Sequence, residues 1–334
     1  MSAAGAPTLI LSRADVAGLM DDGAWLAAVE SGFAAAARGE AASPAPMAIA
    51  GRGGTFHAKG ASIRLDRLYV ALKLNGNFPD NPATTGLPTI QGALLLCDGE
   101  DGSLLAVMDS IEITLRRTAA ASALAARYLA RPESRRILIC GCGEQGAAQL
   151  AALKAVLPLT HAFAWDRDPE RARAFAEHQG QGSLTVERVE DLAEACQASD
   201  VIVTCTTARS AFLEAGFVRP GTFVAAVGAD SHDKSEIAPE LMRRALVVAD
   251  VLDQCAVMGD LHHAISAGVM GRGDVHAELA ELVSGAKAGR SDEHQITLFD
   301  STGTALQDVA AAAVIYRRAV AEGAPMAVPL GAAE

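Results

Sequence analysis

The stretch Ile137-Leu138-Ile139-Cys140 is a short apolar run that ends directly in Gly141-Cys142-Gly143-Glu144-Gln145-Gly146. An alanine-rich stretch of helical character, residues 147–156, follows at once. This order predicts a strand, a tight glycine turn and a helix start. The first glycine permits the turn, the second lets a pyrophosphate approach the backbone, and the third lets helix and strand pack closely. A helix N-terminus also offers N–H groups and a positive dipole end to phosphate. A second apolar run, Ala162-Phe163-Ala164-Trp165, ends in Asp166, about twenty residues past the last glycine. A carboxylate there accepts hydrogen bonds from ribose hydroxyls and repels a 2′-phosphate, which favours NAD over NADP; the adjacent Arg167 softens that preference.

Bulk properties narrow the remaining classes. The chain has 334 residues, enough for two domains, and half of them are apolar. Its formal net charge of −12 argues against nucleic acid and against an anionic membrane surface as partners. No run reaches the roughly 18 apolar residues of a membrane helix. The N-terminal residues lack a charged start and an apolar core of the signal type, so the expected location is cytoplasmic. Six cysteines fall mainly in apolar runs, and Cys140-Gly141-Cys142 has the wrong spacing for a CxxC redox or zinc motif. The adjacent His262 and His263 cannot share a helix face, and no metal site is expected.

Along the chain, Leu9–Leu11 reads as a strand, and Ser12 with Asp15 as a capping box. Residues 22–38 show helical periodicity. The proline- and glycine-rich stretch 43–60 suggests turns and short strands, residues 68–74 a strand, and 75–88 a loop. Residues 91–97 and 104–108 form an expected hairpin. Asp109 caps a helix running to about Ala130. Apolar runs at 201–206, 223–228, 245–250 and 296–299 alternate with helical stretches, which implies a parallel, doubly wound sheet. Residues 308–321 read as a final helix. The expected division is 1–130 with 305–334 as one domain and 131–304 as the dinucleotide-binding domain.

Several further motifs occur in order: Lys73 after a strand, Gly86-Leu87-Pro88, Asp98, and Thr114-x-x-Arg117-Thr118-Ala119-Ala120. Beyond the glycine turn come Ser199-Asp200-Val201-Ile202-Val203-Thr204-x-Thr206, then Gly228-Ala229-Asp230 with Lys234. Last is Phe299-x-Ser301-x-Gly303-x-Ala305-x-x-Asp308. With them the chain resembles the ornithine cyclodeaminase/mu-crystallin family nearly end to end. The resemblance implies an N-terminal α/β domain that carries substrate residues and a homodimer interface, plus a Rossmann domain, with the active site between the two. It implies that Arg117 holds a substrate carboxylate, that Lys73 contacts that carboxylate or helps proton transfer, and that Asp230 is the main proton-transfer residue. Thr118, Thr204, Thr206, Gly228 and Ser301 are implied cofactor contacts, beside Gly141, Gly143, Glu144, Gln145 and Gly146 of the turn.

One position departs from the family pattern. Members often carry an arginine after a proline in the segment before Lys73, where this chain has Met47. Lys59, with His57, is the expected substitute cation. The resulting expectation is NAD(H)-dependent hydride transfer at the α-carbon of a small amino or imino acid. Cyclodeamination without net redox and a cofactor-dependent binding protein are the alternatives.

Overall fold

The computed structural model describes residues 7–180, 182, 184–323 and 325–330. It divides into two compact units, one made of Met1–Arg117 with Thr304–Glu334 and the other of Thr118–Gly303. The division falls inside a helix rather than after residue 130.

The first unit opens with β1 (Thr8–Leu11), α1 (Arg13–Leu19), α2 (Asp22–Ala37) and β2 (Ala41–Ala42). Ser12 and Asp15 form the expected capping box at α1. There follow β3 (Met47–Gly51), β4 (Gly54–Arg64), β5 (Leu68–Asn77), a single turn α3 (Asn81–Thr84), β6 (Ile90–Asp98) and β7 (Leu104–Asp109). The Asp109 carboxylate accepts the N–H groups of Ile111 and Glu112 and so starts α4 (Ser110–Leu129).

The second unit runs β8 (Arg136–Cys140), α5 (Glu144–Lys154), β9 (His161–Trp165), α6 (Pro169–Gln179), β10 (Thr185–Arg188), α7 (Leu192–Ala198), β11 (Val201–Thr204), β12 (Arg209–Leu213), β13 (Phe223–Ala226) and β14 (Ser235–Ile237). It continues through α8 (Pro239–Arg244), β15 (Leu246–Ala249), α9 (Leu252–Met258), α10 (Asp260–Ser266), β16 (Ala277–Glu278), α11 (Leu279–Val283) and β17 (Thr297–Asp300). The chain then returns to the first unit as α12 (Ala305–Glu322) and β18 (Ala327–Val328).

The first unit's sheet has the order β18-β1-β7-β6-β5-β4-β2, with β3 paired to β4. The segment expected to hold turns and short strands contains instead most of an eleven-residue strand, β4. Its glycines and alanines hid the strand, because small residues suffice where neighbouring strands and α12 pack against it. On β5 the alternation is inverted in kind. Tyr69, Ala71 and Lys73 face the buried side, while Val70, Leu72 and Leu74 are 38%, 47% and 43% exposed. The inner face lies against α12, a helix buried along most of its length.

The second unit carries an all-parallel sheet, β10-β9-β8-β11-β13-β17-β15-β16. Its centre is made of Ile137–Ile139, Val201–Val203 and Phe223–Ala225, all without exposure, as strands covered on both faces require. The strand order reverses between β8 and β11, so the crevice for a ligand lies beyond their carboxyl ends. Among the described residues no helix is long and apolar enough to cross a membrane.

Candidate active site

In the second unit the glycine turn has three separate requirements. Gly141 adopts φ +108°, and a Cβ there would stand 2.7 Å from the Cys205 carbonyl oxygen. At Gly146 a Cβ would stand 2.2 Å from the Gly141 oxygen and 3.0 Å from Ile139 Cγ2. These two glycines are needed by the fold. Gly143 is different: it is the N-cap of α5, and nothing lies within 4 Å of where its Cβ would be. Open space over a helix N-terminus fits a pyrophosphate. Gly143→Ala should therefore leave the melting temperature within about 2 °C of wild type. It should weaken NADH binding by about tenfold or more, since a methyl group replaces the close backbone approach. Equal NADH affinity in a fluorescence titration would remove the pyrophosphate from this turn.

Asp166 stands at the carboxyl end of β9, but its oxygens already hold backbone. Oδ2 accepts from Cys142 N–H at 2.9 Å and Oδ1 from Asp168 N–H at 2.9 Å. Lone pairs remain for ribose hydroxyls, and Arg167 beside it is exposed. At the end of β11 Thr204 is buried, and just past it Thr206 gives both its N–H and its hydroxyl to Glu236 Oε1, each at 2.6 Å. Gly228, past β13, gives its N–H to Glu236 Oε2 at 2.9 Å. Ser301 is buried, and its hydroxyl donates to Asp250 at 3.2 Å. Thr118 is buried early in the α4 portion of this unit.

Asp230 lies on the loop after Gly228. Its side chain is half-exposed, and Lys234 Nζ sits 2.6 Å from Oδ1. Residues 231–236 do not start a helix there; Ser235–Ile237 is a strand. His263 contacts the Lys234 carbonyl oxygen at 2.8 Å. No cluster suited to a metal ion occurs among the described residues.

The first unit holds the cations. Lys73 Nζ stands 2.7 Å from Asp308 Oδ2 and donates to Thr114 Oγ1 at 3.1 Å. One helical turn on from Thr114, Arg117 donates through Nε to Asp308 Oδ1 at 2.9 Å and through a terminal nitrogen to Gln307 Oε1 at 2.7 Å. Lys73 and Arg117 are each 4% exposed, so burial has removed their water. Lys59 pairs directly across from Lys73 in the β4–β5 register and so shares its face. His57, opposite Asn75, is two residues along that face. Met47 on β3 is 56% exposed.

Burial is the largest influence on Lys73 and lowers its pKa to about 7; Asp308 opposes this, while Arg117 and Lys59 add to it. Burial alone would raise Asp308, but Arg117, Lys73 and Lys59 together hold it below its ordinary value. The two directions agree physically. One carboxylate satisfied by several cations stays ionised, whereas each cation also feels the others. The four side chains are net positive in either state of Lys73, which suits a substrate carboxylate.

The parallel sheet and its glycine turn define the second unit as a dinucleotide-binding Rossmann domain. A profile of the ornithine cyclodeaminase/mu-crystallin family matches residues 7–323, and the chain belongs to that family. It is 38% identical over 317 residues to the alanine dehydrogenase of Archaeoglobus fulgidus, covering 94% of this chain and 96% of that one. Its fold is similar to a Thermococcus litoralis Δ(1)-pyrroline-2-carboxylate reductase solved with NADH and L-proline, at TM-score 0.90 and 33% identity over 95% and 99% of the two chains. An archaeal alanine dehydrogenase dimer with bound NAD gives TM-score 0.92 and 35% identity over 97% and 99%.

Proposed function

We propose that this chain is an NAD(H)-dependent oxidoreductase that transfers a hydride at the α-carbon of a small amino or imino acid. The observation that carries the reading is the buried cluster of Lys73 and Arg117 around Asp308, with Lys59 on the same sheet face, suited to a carboxylate, in a chain whose other unit offers a pyrophosphate turn. When bound, the nicotinamide supplies the hydride acceptor or donor. Arg117 and Lys73 fix the substrate carboxylate, and Lys59, opposite Lys73 on the same face, adds a further charge, whereas Met47 lies on the other face of the sheet. Asp230 moves the proton at the substrate nitrogen, and Lys234 holds its carboxylate in place.

The test is nicotinamide absorbance with a panel of amino acids plus NAD and of imino acids plus NADH. Turnover with a small substrate of either kind supports the reading. Ornithine converted to proline and ammonia without net NADH change establishes the cyclodeaminase instead, and tight NADH binding with no turnover establishes a binding protein. Lys59→Ala should raise the KM for the amino or imino acid about tenfold, the loss of one charged contact, and leave NADH affinity unchanged. An unchanged KM takes Lys59 out of the site. In wild type, carboxylate binding favours protonated Lys73, so KM should rise as pH climbs through about 7.

The same reading includes a homodimer. Val70, Leu72 and Leu74 of β5, with Met47, Ile49, Phe56 and Leu95, leave one sheet face apolar and exposed, and a second copy is the occupant we assign to it. Sedimentation should give twice the mass of the chain.

A further inference from the structure

Glu236 has no solvent exposure, yet it carries a carboxylate. Its two oxygens receive three hydrogen bonds: Thr206 N–H and Thr206 hydroxyl on Oε1, and Gly228 N–H on Oε2. Those donors belong to the loops that follow β11 and β13, neighbouring strands of the parallel sheet. Gly228 also gives way to it, since a Cβ at 228 would stand 2.5 Å from the Glu236 carboxylate. The bond from Gly228 closes the base of the loop on which Asp230 is carried.

Behind Glu236 the pattern repeats. Asp260 Oδ1 accepts the N–H groups of Glu236 and Ile237 at 2.8 and 3.0 Å. Asp300 in turn accepts those of Asp260 and Leu261, at 3.3 and 3.0 Å. Each buried acid is thus braced on the backbone that bears the next one. A buried charge is costly unless fully hydrogen-bonded, so such a chain serves to hold geometry rather than to add stability.

We propose that Glu236 is a positioning residue for the dinucleotide, fixing the Thr206 and Gly228 loops as one ledge at the carboxyl ends of β11 and β13. The inference rests on the proposed use of NAD(H). Its consequence is a pH dependence. In the ionised form all three bonds are charge-assisted; a proton on the free lone pair of Oε2 removes that charge and weakens the hold on both loops. Burial, with Asp260 adding to it, raises Glu236 to about 7 despite the bonds from Thr206. The titratable groups facing it are Asp260 of α10, Cys140 at the end of β8 and Cys205 just past β11. Burial holds Asp260 at about 6 and pushes both thiols well above their ordinary value. The thiols therefore stay neutral.

The test is the Kd of NADH, by fluorescence, from one pH unit above to one unit below about 7. Wild-type affinity should weaken severalfold on the acid side. Glu236→Gln should bind NADH about tenfold more weakly at the alkaline end, the loss of one bond to a charged group, and show a flat profile. If that variant does not fold, Thr206→Val removes the hydroxyl donor alone and should weaken NADH binding severalfold. Wild-type affinity and an unaltered pH profile in either folded variant overturn the role of Glu236 while leaving NAD(H) dependence standing. Wild-type protein that binds no NADH at any pH overturns both.

Discussion

Asparagine at position 308 should destabilise the protein by about 3 kcal/mol, the low end of what is lost when one partner of a buried ion cluster is removed. Lys73 and Arg117, each 4% exposed, would keep their burial and lose their counter-charge. The low end applies because Lys73, already lowered to about 7, can shed its proton. Two further results follow. Without Asp308 the pKa of Lys73 falls further, so the rise in substrate KM with pH should begin at lower pH. A small carboxylate, acetate or the substrate itself, should recover part of the lost thermal stability by taking the place of the missing acid. An Asp308→Asn protein that melts with wild type and keeps its KM profile would show that these charges do not act as one group.

Asp230→Asn should slow the chemical step by about 10²–10⁴-fold, the usual contribution of a positioned proton-transfer group. NADH affinity should stay within about twofold, because the amide preserves shape and the loop is closed at its base by Gly228 and Glu236. Single-turnover absorbance separates the two quantities. A rate constant within a few-fold of wild type would move the proton-transfer role to another group, with Lys73 the first to examine.

The dinucleotide-type turn was legible because its requirements are local: one apolar strand, three glycines at fixed spacing, and a helix. Lys73 and Arg117 came from a motif resemblance, and nothing in the neighbourhood of Lys73 states that it points inward. The structure supplies the reason, since the alternation on β5 puts it on the side of Tyr69 and Ala71 and leaves the leucines outside. Asp308 appears in the sequence as an acid near a helix start, and only packing shows that it neutralises residues far earlier in the chain. Glu236 was missed altogether. An acidic residue soon after Lys234 reads as solvated, and its burial depends on backbone donors from two other loops. Asp166 and Ser301 were legible as positions but not in their bonding, because their partners Cys142 and Asp250 are brought to them by the fold.

The way the second unit interrupts the first has a consequence for biosynthesis. Lys73 and Arg117 leave the ribosome long before Asp308, with the whole span Thr118–Gly303 made in between. The inserted unit is contiguous and can complete its parallel sheet during translation. The earlier sheet must wait, with its inner face and two cations still hydrated, until α12 emerges. Vectorial synthesis thus makes the first unit the last to mature, and a ribosome stalled before residue 305 would display a finished parallel-sheet unit beside an unfinished one.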